Sequence, residues 1–291
     1  MSNGKLEEYF HTEYAHSWNQ INDFHEAHSV AEAQWVFRGQ GSSKWGLEST
    51  LEREIASFGL DQGTAPQIER GLLRKFKRQC CHYIAHLPKE KDYLEWLALM
   101  RHYGAPTRLL DWTYSFFVAL YFAIESANEC GCAVWAFSTK WMQQQFGSVL
   151  TQYPDALRRW KCDSSILRPV TFSNLFMRES SIPLVGAVTP RRLNERMVIQ
   201  QGVFLCPGDV SKRFADNFIA LLSKSKAESK ANLVELIIDV DLGTKKDVLL
   251  RLQRMNMNHA TLFPGLEGFA RSLRTLMIKP EIFLDPGNEG I

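Results

Sequence analysis

The chain has 291 residues, with 34 Lys+Arg against 32 Asp+Glu and a formal net charge of +2. That balance excludes a tail-type polycation and gives no global attraction to nucleic acid or membrane. With 45% hydrophobic and 23% charged residues, the chain is too apolar for disorder and long enough to bury one large core or two modest ones.

Taken in chain order, Tyr14 to Ser29 has the pattern of an N-terminal helix. Trp35-Val36-Phe37-Arg38-Gly39 predicts a short strand ended by glycine. Gly39, Gly41 and Gly46 make the next stretch a loop, with Trp45 and Leu47 as its anchors. Pro66 to Leu87 carries Leu72, Leu73, Phe76, Ile84 and Leu87 near helical spacing. Asp92 starts a further helix through Tyr103, stopped by Gly104 and Pro106. Asp111 or Thr113 is expected to cap a buried helix from Tyr114 to Ala127. Strands are expected at Cys132–Phe137, Val185–Val188, Val203–Leu205 and Leu233–Ile238, and helices at Lys245–Met255 and Leu266–Met277. The basic stretch Lys224 to Ala231 is expected to be a solvated loop or helix face. Helices come first and strands mixed with helices later, without steady strand–helix alternation. The fold class expected is therefore α+β, with helical segments packed around a mixed β-sheet core. Residues 1–30 are expected to form an N-terminal helical extension, and residues 31–291 one compact unit.

The six cysteines, Cys80, Cys81, Cys130, Cys132, Cys162 and Cys206, lack the paired C-x-x-C spacing of a zinc site. They are expected to be reduced and packed as small hydrophobes, with no metal bound. No apolar stretch of signal-peptide type opens the chain, and the longest apolar run, Phe116 to Ile124, is far below the ~20 residues that span a bilayer. A soluble, cytoplasmic protein without a membrane partner is the expectation.

Four clusters carry polar chemistry. Phe37-Arg38-Gly39-Gln40 places a guanidinium fork, suited to phosphate or carboxylate, at the end of a strand, and Gly39 allows a ligand or another backbone to come close. An internal carboxylate is the alternative partner for Arg38. His102-Tyr103-Gly104-Ala105-Pro106-Thr107-Arg108-Leu109-Leu110-Asp111-Trp112-Thr113 crowds His102, Tyr103, Arg108 and Asp111 at one joint. It reads either as architecture, with Asp111 capping a helix or pairing with Arg108, or as a pocket wall. Glu195 to Phe204 brings Gln200 and Gln201 ahead of a glycine-led strand, to read a ligand amide or to satisfy sheet-edge groups. Leu262 to Phe269 puts Glu267 in the first turn of a helix, where the dipole favours a carboxylate.

Together these clusters resemble the FRG domain family, named for its (Phe/Tyr)-Arg-Gly motif, here Phe37-Arg38-Gly39. The family's second block, His-x-Gly-x-Pro-Thr-Arg-Leu-Leu-Asp-Trp-Thr, is matched at His102 through Thr113. Arg196, Gln200-Gln201-Gly202 and Phe204, and then Phe263-Pro264-x-Leu266-Glu267-Gly268, resemble its later marks. Gly265 and Glu267 depart from the Asp-Leu-Asp-Gly common in that last block. A looser similarity joins Phe-Arg-Gly to the Tyr-Arg-Gly or Tyr-Arg-Ser start of ADP-ribosyltransferase toxins. It implies an ADP-ribosyltransferase-like fold, NAD as cosubstrate, Arg38 on the dinucleotide phosphates and Glu267 as the catalytic carboxylate. Gly39, Gln40, His102, Tyr103, Thr107, Arg108 and Asp111 would line the same nucleotide site, with Gln200 or Gln201 placing a nucleic acid or protein acceptor. The Ser-Thr-Ser mark of the arginine-type toxins is absent from the sequence, and no Glu-x-Glu pair stands at Glu267. Members of the family occur in bacterial and phage conflict systems, which implies a toxin or defence effector. The alternative is a nucleotide- or phosphate-sensing module without catalysis.

Overall fold

The computed structural model describes residues 6–29, 34–127, 131–160, 169–222 and 226–278. Its centre is a seven-stranded mixed sheet: β1 (His11–Ala15), β2 (Trp35–Gln40), β3 (Leu110–Thr113), β4 (Cys132–Ser138), β5 (Val185–Val188), β6 (Gly202–Pro207) and β7 (Leu233–Ile238), in the order β1-β7-β4-β2-β3-β6-β5. The β1–β7 pair is parallel and every other pair antiparallel. With fourteen α-helices among the described residues, the fold is α+β.

Helices cover both faces of the sheet, so β4 at its centre is apolar from Cys132 to Phe137. In β4 every residue is buried. Trp135 and Phe137 pack into one cluster with Val36, Trp112 and Leu205, beneath the helices Tyr93–His102 and Phe214–Leu221. Cys132, Val134 and Ala136 alternate to the other face, where Phe37, Leu236 and the helices Phe116–Glu125 and Leu242–Arg254 meet them. Gly39 lies where the Phe116–Glu125 helix crosses β2. A Cβ there would come within 1.9 Å of the Ala119 carbonyl oxygen and 2.7 Å of the Ala123 nitrogen. The close approach expected at Gly39 is thus made by a backbone.

Several elements differ from the sequence reading. Tyr14 and Ala15 belong to β1, and the N-terminal helix begins at Trp18, where Ser17 Oγ accepts the Gln20 N–H at 3.4 Å. The helix predicted over Pro66–Leu87 spans Ala65–Gln79 and ends in a single 3-10 turn, Cys80–His82; Cys81, His82 and Tyr83 are all exposed and offer no apolar face to continue it. Asp111 and Thr113 cap nothing, because Leu110–Thr113 is a strand whose Leu110 and Trp112 point into the core. The cap of the following helix is Ser115, whose Oγ accepts the Val118 N–H. The helices Thr50–Ser57, Thr139–Leu150 and Phe214–Leu221 lie outside the sequence reading, although Ser49 and Ser138 cap the first two by accepting the Glu52 and Trp141 N–H groups. Leu47 is buried as an anchor, whereas Trp45 is 53% exposed. Cys80, Cys132 and Cys206 are buried free thiols and Cys81 an exposed one; Cys130 and Cys162 lie outside the described residues, as does Lys224. No helix among the described residues is long and apolar enough to cross a membrane.

Candidate functional site

The end of β2 opens into a cleft of about 340 Å³. Four arginines line it from four elements: Arg38 from β2, Arg53 from the Thr50–Ser57 helix, Arg196 from the short Glu195–Ile199 helix, and Arg271 from the Leu266–Leu276 helix. Two carboxylates, Asp111 and Glu125, share its walls, and Trp45, Phe122, His259 and Phe263 supply aromatic surface. A second, smaller pocket of about 180 Å³ shares Asp111, Trp112, Arg196 and Gln200 with the first and extends to Arg101 and His102.

Arg38 is half-buried. Its Nη1 donates to the Asp111 carbonyl at 2.7 Å, while its Nε is buried without a partner. Burial lowers its pKa to about 10, against the opposing pull of Asp111, so it remains a cation at neutral pH. Asp111 is held by Arg101, whose Nε donates to Oδ2 at 2.9 Å. Burial alone would raise the Asp111 pKa; the Arg101 charge and hydrogen bonds overcome it and keep the carboxyl below its ordinary range. Arg196 lies over the Phe263 ring at 4.3 Å, and burial lowers its pKa. The same ring stacks on His259 at 4.2 Å. Burial also pushes the His102 and His259 pKa values down, Arg196 adding to the effect at His102, so both imidazoles are favoured neutral. Among the described residues the guanidinium groups of Arg53 and Arg196 make no ion pair or hydrogen bond.

The expected site residues divide into those inside this region and those outside it. Arg38, Asp111 and Gln200 line the main cleft, and His102 lines the second pocket. Gln200 is itself tied down: its Nε2 donates to the Leu262 carbonyl at 2.9 Å, and its own carbonyl accepts from Thr113 Oγ1 at 2.6 Å. Gly39 and Gln40 border the cleft but serve the sheet, since the Gln40 amide bridges the Gly46 carbonyl and Trp135 Nε1. Tyr103 is exposed, with His102 packed edge-on against it. Gln201 is exposed, with a positive φ of 48°, and lines neither pocket.

Three expectations are corrected by their surroundings. Arg108 does not pair with Asp111 or reach the cleft: it is buried against Glu69, with Nε donating to both carboxylate oxygens at 2.9 Å and Nη1 to the Phe176 carbonyl at 2.9 Å. Burial would lower its pKa, but Glu69 raises it far above the ordinary value. Thr107 is fully buried, and its backbone is bound to Thr50 and Leu51. Glu267 is on the outer side of its helix, 84% exposed and 3.3 Å from Arg271. Its charge reaches Arg196 and His259, but its side chain does not line the cleft.

The sequence reading missed Arg53, Arg101, Glu125, His259 and Arg271 as site residues. Arg196 lay within a quoted motif, yet only Gln200 and Gln201 were singled out from it. No local pattern marks Arg53 or Arg271; each is one arginine among 34 Lys+Arg.

No curated protein matches the chain, and no solved structure does. The FRG domain family model matches residues 33–131, about a third of the chain, a span that contains Arg38, Arg53, Arg101, His102, Asp111 and Glu125. Arg196, His259 and Arg271 come from beyond it, so the cleft is built by the matched segment together with the C-terminal half. The strand arginine of Phe37-Arg38-Gly39 and the His102–Thr113 block meet in one cleft, and both lie in the segment, residues 33–131, that matches the FRG domain model.

Proposed function

We propose that the arginine-lined cleft binds a phosphate-bearing nucleotide, with NAD as the ligand, and that the domain transfers ADP-ribose from it. The observation that carries the reading is a set of buried polar atoms left without partners. Among the described residues seven side-chain N or O atoms are buried and unpaired, and three of them, Arg38 Nε, His102 Nδ1 and Trp112 Nε1, belong to residues lining the two adjoining pockets. Each such atom costs about 1–3 kcal/mol until something satisfies it. A ligand with phosphate oxygens at Arg38 and Arg196 and a polar planar group between His102 and Trp112 would relieve that cost.

In the transfer, the bond between ribose C1′ and the nicotinamide nitrogen breaks, and its electron pair leaves with nicotinamide. An acceptor nucleophile, on nucleic acid or protein, then bonds to C1′ and gives up its proton. The oxocarbenium-like centre between these events favours a carboxylate close by. Glu267 lies outside the cleft and Asp111 is held by two hydrogen bonds from Arg101, which leaves Glu125, on the cleft wall, about a third exposed and held only by a 3.6 Å ion pair to the exposed Arg274, as the carboxylate placed to act. The family resemblance adds a conflict role, toxin or defence effector, as the biological setting.

Calorimetric titration with NAD tests the binding step. Arg38→Ala and Arg196→Ala are each expected to weaken it about 10- to 100-fold, the worth of one charge-assisted hydrogen bond. Nicotinamide release measured alongside is expected to fall with Glu125→Gln and to persist with Glu267→Gln. Binding that ignores both arginine substitutions overturns the site. NAD bound tightly with no nicotinamide released favours the second reading, a sensing module without catalysis, which the outward position of Glu267 supports.

A further inference from the structure

The net charge of +2 conceals a strong local asymmetry. Residues 70–91 contain seven Lys+Arg and a single carboxylate, Glu90. Most of these cations sit on one helix, Ala65–Gln79. Its inner face is Ala65, Glu69 and Leu73, with Ile68, Leu72 and Phe76 partly covered. Lys77 turns inward to Glu90 and the Trp96 ring. On the outer face Arg70, Arg74, Lys75 and Arg78 are all exposed, and none of their side chains has an ion pair or hydrogen bond among the described residues. Arg70, Arg74 and Arg78 follow one another at i, i+4 and i+8, in a row about 12 Å long. One turn beyond, Tyr83 is 84% exposed.

We propose that this outer face, with Arg70, Arg74, Lys75 and Arg78 in one patch and Tyr83 at its end, is a docking surface for single-stranded nucleic acid. Like charges four residues apart destabilise a helix, so the row works against the stability of the helix that carries it; a glutamate at position 74 would have served the helix better. Four exposed cations on one helix face, three of them in a line, match the repeating charge of a phosphodiester backbone, and the exposed phenol ring five residues past Arg78 offers a stacking face to an unpaired base. A membrane surface fits less well, because no large apolar side chain lies among the four cations to enter the lipid. None of the five residues lines the arginine cleft or its neighbour, so the surface is separate from the nucleotide site.

Fluorescence anisotropy of the full chain with a labelled single-stranded oligonucleotide of about 16 nucleotides, in DNA and RNA forms, tests the proposal. Four phosphate contacts to a single strand give a slope of about −3 in log affinity against log salt, or about 50-fold weaker binding between roughly 50 and 200 mM salt. Each single change to Gln at positions 70, 74, 75 or 78 is expected to flatten the slope by about 0.7, and the fourfold variant to abolish it. Tyr83→Ala is expected to weaken binding about tenfold with the slope unchanged. Exposed positions are substituted throughout, and NAD titration of the fourfold variant is expected to match the unaltered protein, which separates this result from the fate of the cleft. No salt-dependent binding of either oligonucleotide, or binding that survives the fourfold change, overturns the proposal. So does capture of phosphatidylserine vesicles through the same four residues with no oligonucleotide bound.

Discussion

Arg38 and Arg108, both set in family motifs, have opposite fates. Arg38 keeps an unpaired nitrogen beside open space; Arg108 spends three nitrogens on Glu69 and the Phe176 carbonyl. Sequence does not separate them: Arg38 follows Val36-Phe37 and Arg108 precedes Leu109-Leu110, so each is an arginine beside apolar residues in a quoted motif. A third kind of buried charge is Glu235, on β7 and 6% exposed, whose pKa burial and the nearby Glu7 carboxylate push up to about 7. Its folded pKa is higher than its unfolded one, so its contribution to stability is complete below the ordinary glutamate range and is lost as pH rises through about 7. The shift from 4.5 to about 7 corresponds to about 3 kcal/mol at most. Glu235→Gln, neutral at all pH, is expected to leave stability near pH 4 little changed and to raise it above pH 8 by an amount of that order. Thermal melts of both proteins across that range check it; parallel pH profiles would show that Glu235 does not titrate as stated.

At the scale of elements, short strands that are mostly apolar are legible in the sequence. Val185–Val188 and Leu233–Ile238 have the bounds expected, and Asp92 caps its helix as expected, accepting the Glu95 N–H at 3.2 Å. Leu110–Thr113 is not legible in the sequence because it is only four residues long and Asp111 interrupts it, a residue type whose usual local use is helix capping. The Arg108–Glu69 pair is the tie between such elements: it joins the turn before β3 to the Ala65–Gln79 helix and to the end of the Pro169–Phe176 helix. Removing one partner leaves a buried charge alone. Arg108→Met or Glu69→Met singly is expected to cost about 3–5 kcal/mol in urea unfolding, and the double substitution much less than the sum. NAD affinity of the double variant is expected to be retained, since neither residue lines the cleft. Additive losses, or lost NAD binding in a folded double variant, would return Arg108 to the ligand site.

Across the whole molecule, stability is expected to grade outward from β4. That strand is buried at every residue and paired on both sides, whereas β1 is an edge strand, largely uncovered and held only by β7. Native-state hydrogen exchange is expected to show β4 amides opening only with global unfolding and β1 amides at a free energy several kcal/mol lower; equal protection in the two strands would contradict that order. By itself the sequence determined the α+β class, most of the sheet's strands, and the two motifs whose residues Arg38 and Asp111 meet in the cleft. Those features depend on neighbours within a few residues, where periodicity, capping and turn chemistry act. The tertiary structure alone decided that Glu69 would neutralise Arg108 from 39 positions away, that Glu267 would face solvent, and that Arg53, Arg196 and Arg271 would converge on Arg38. Charge pairing and pocket walls are set by distance in space, and a chain folded through seven strands brings together residues whose separation along the sequence carries no trace of it.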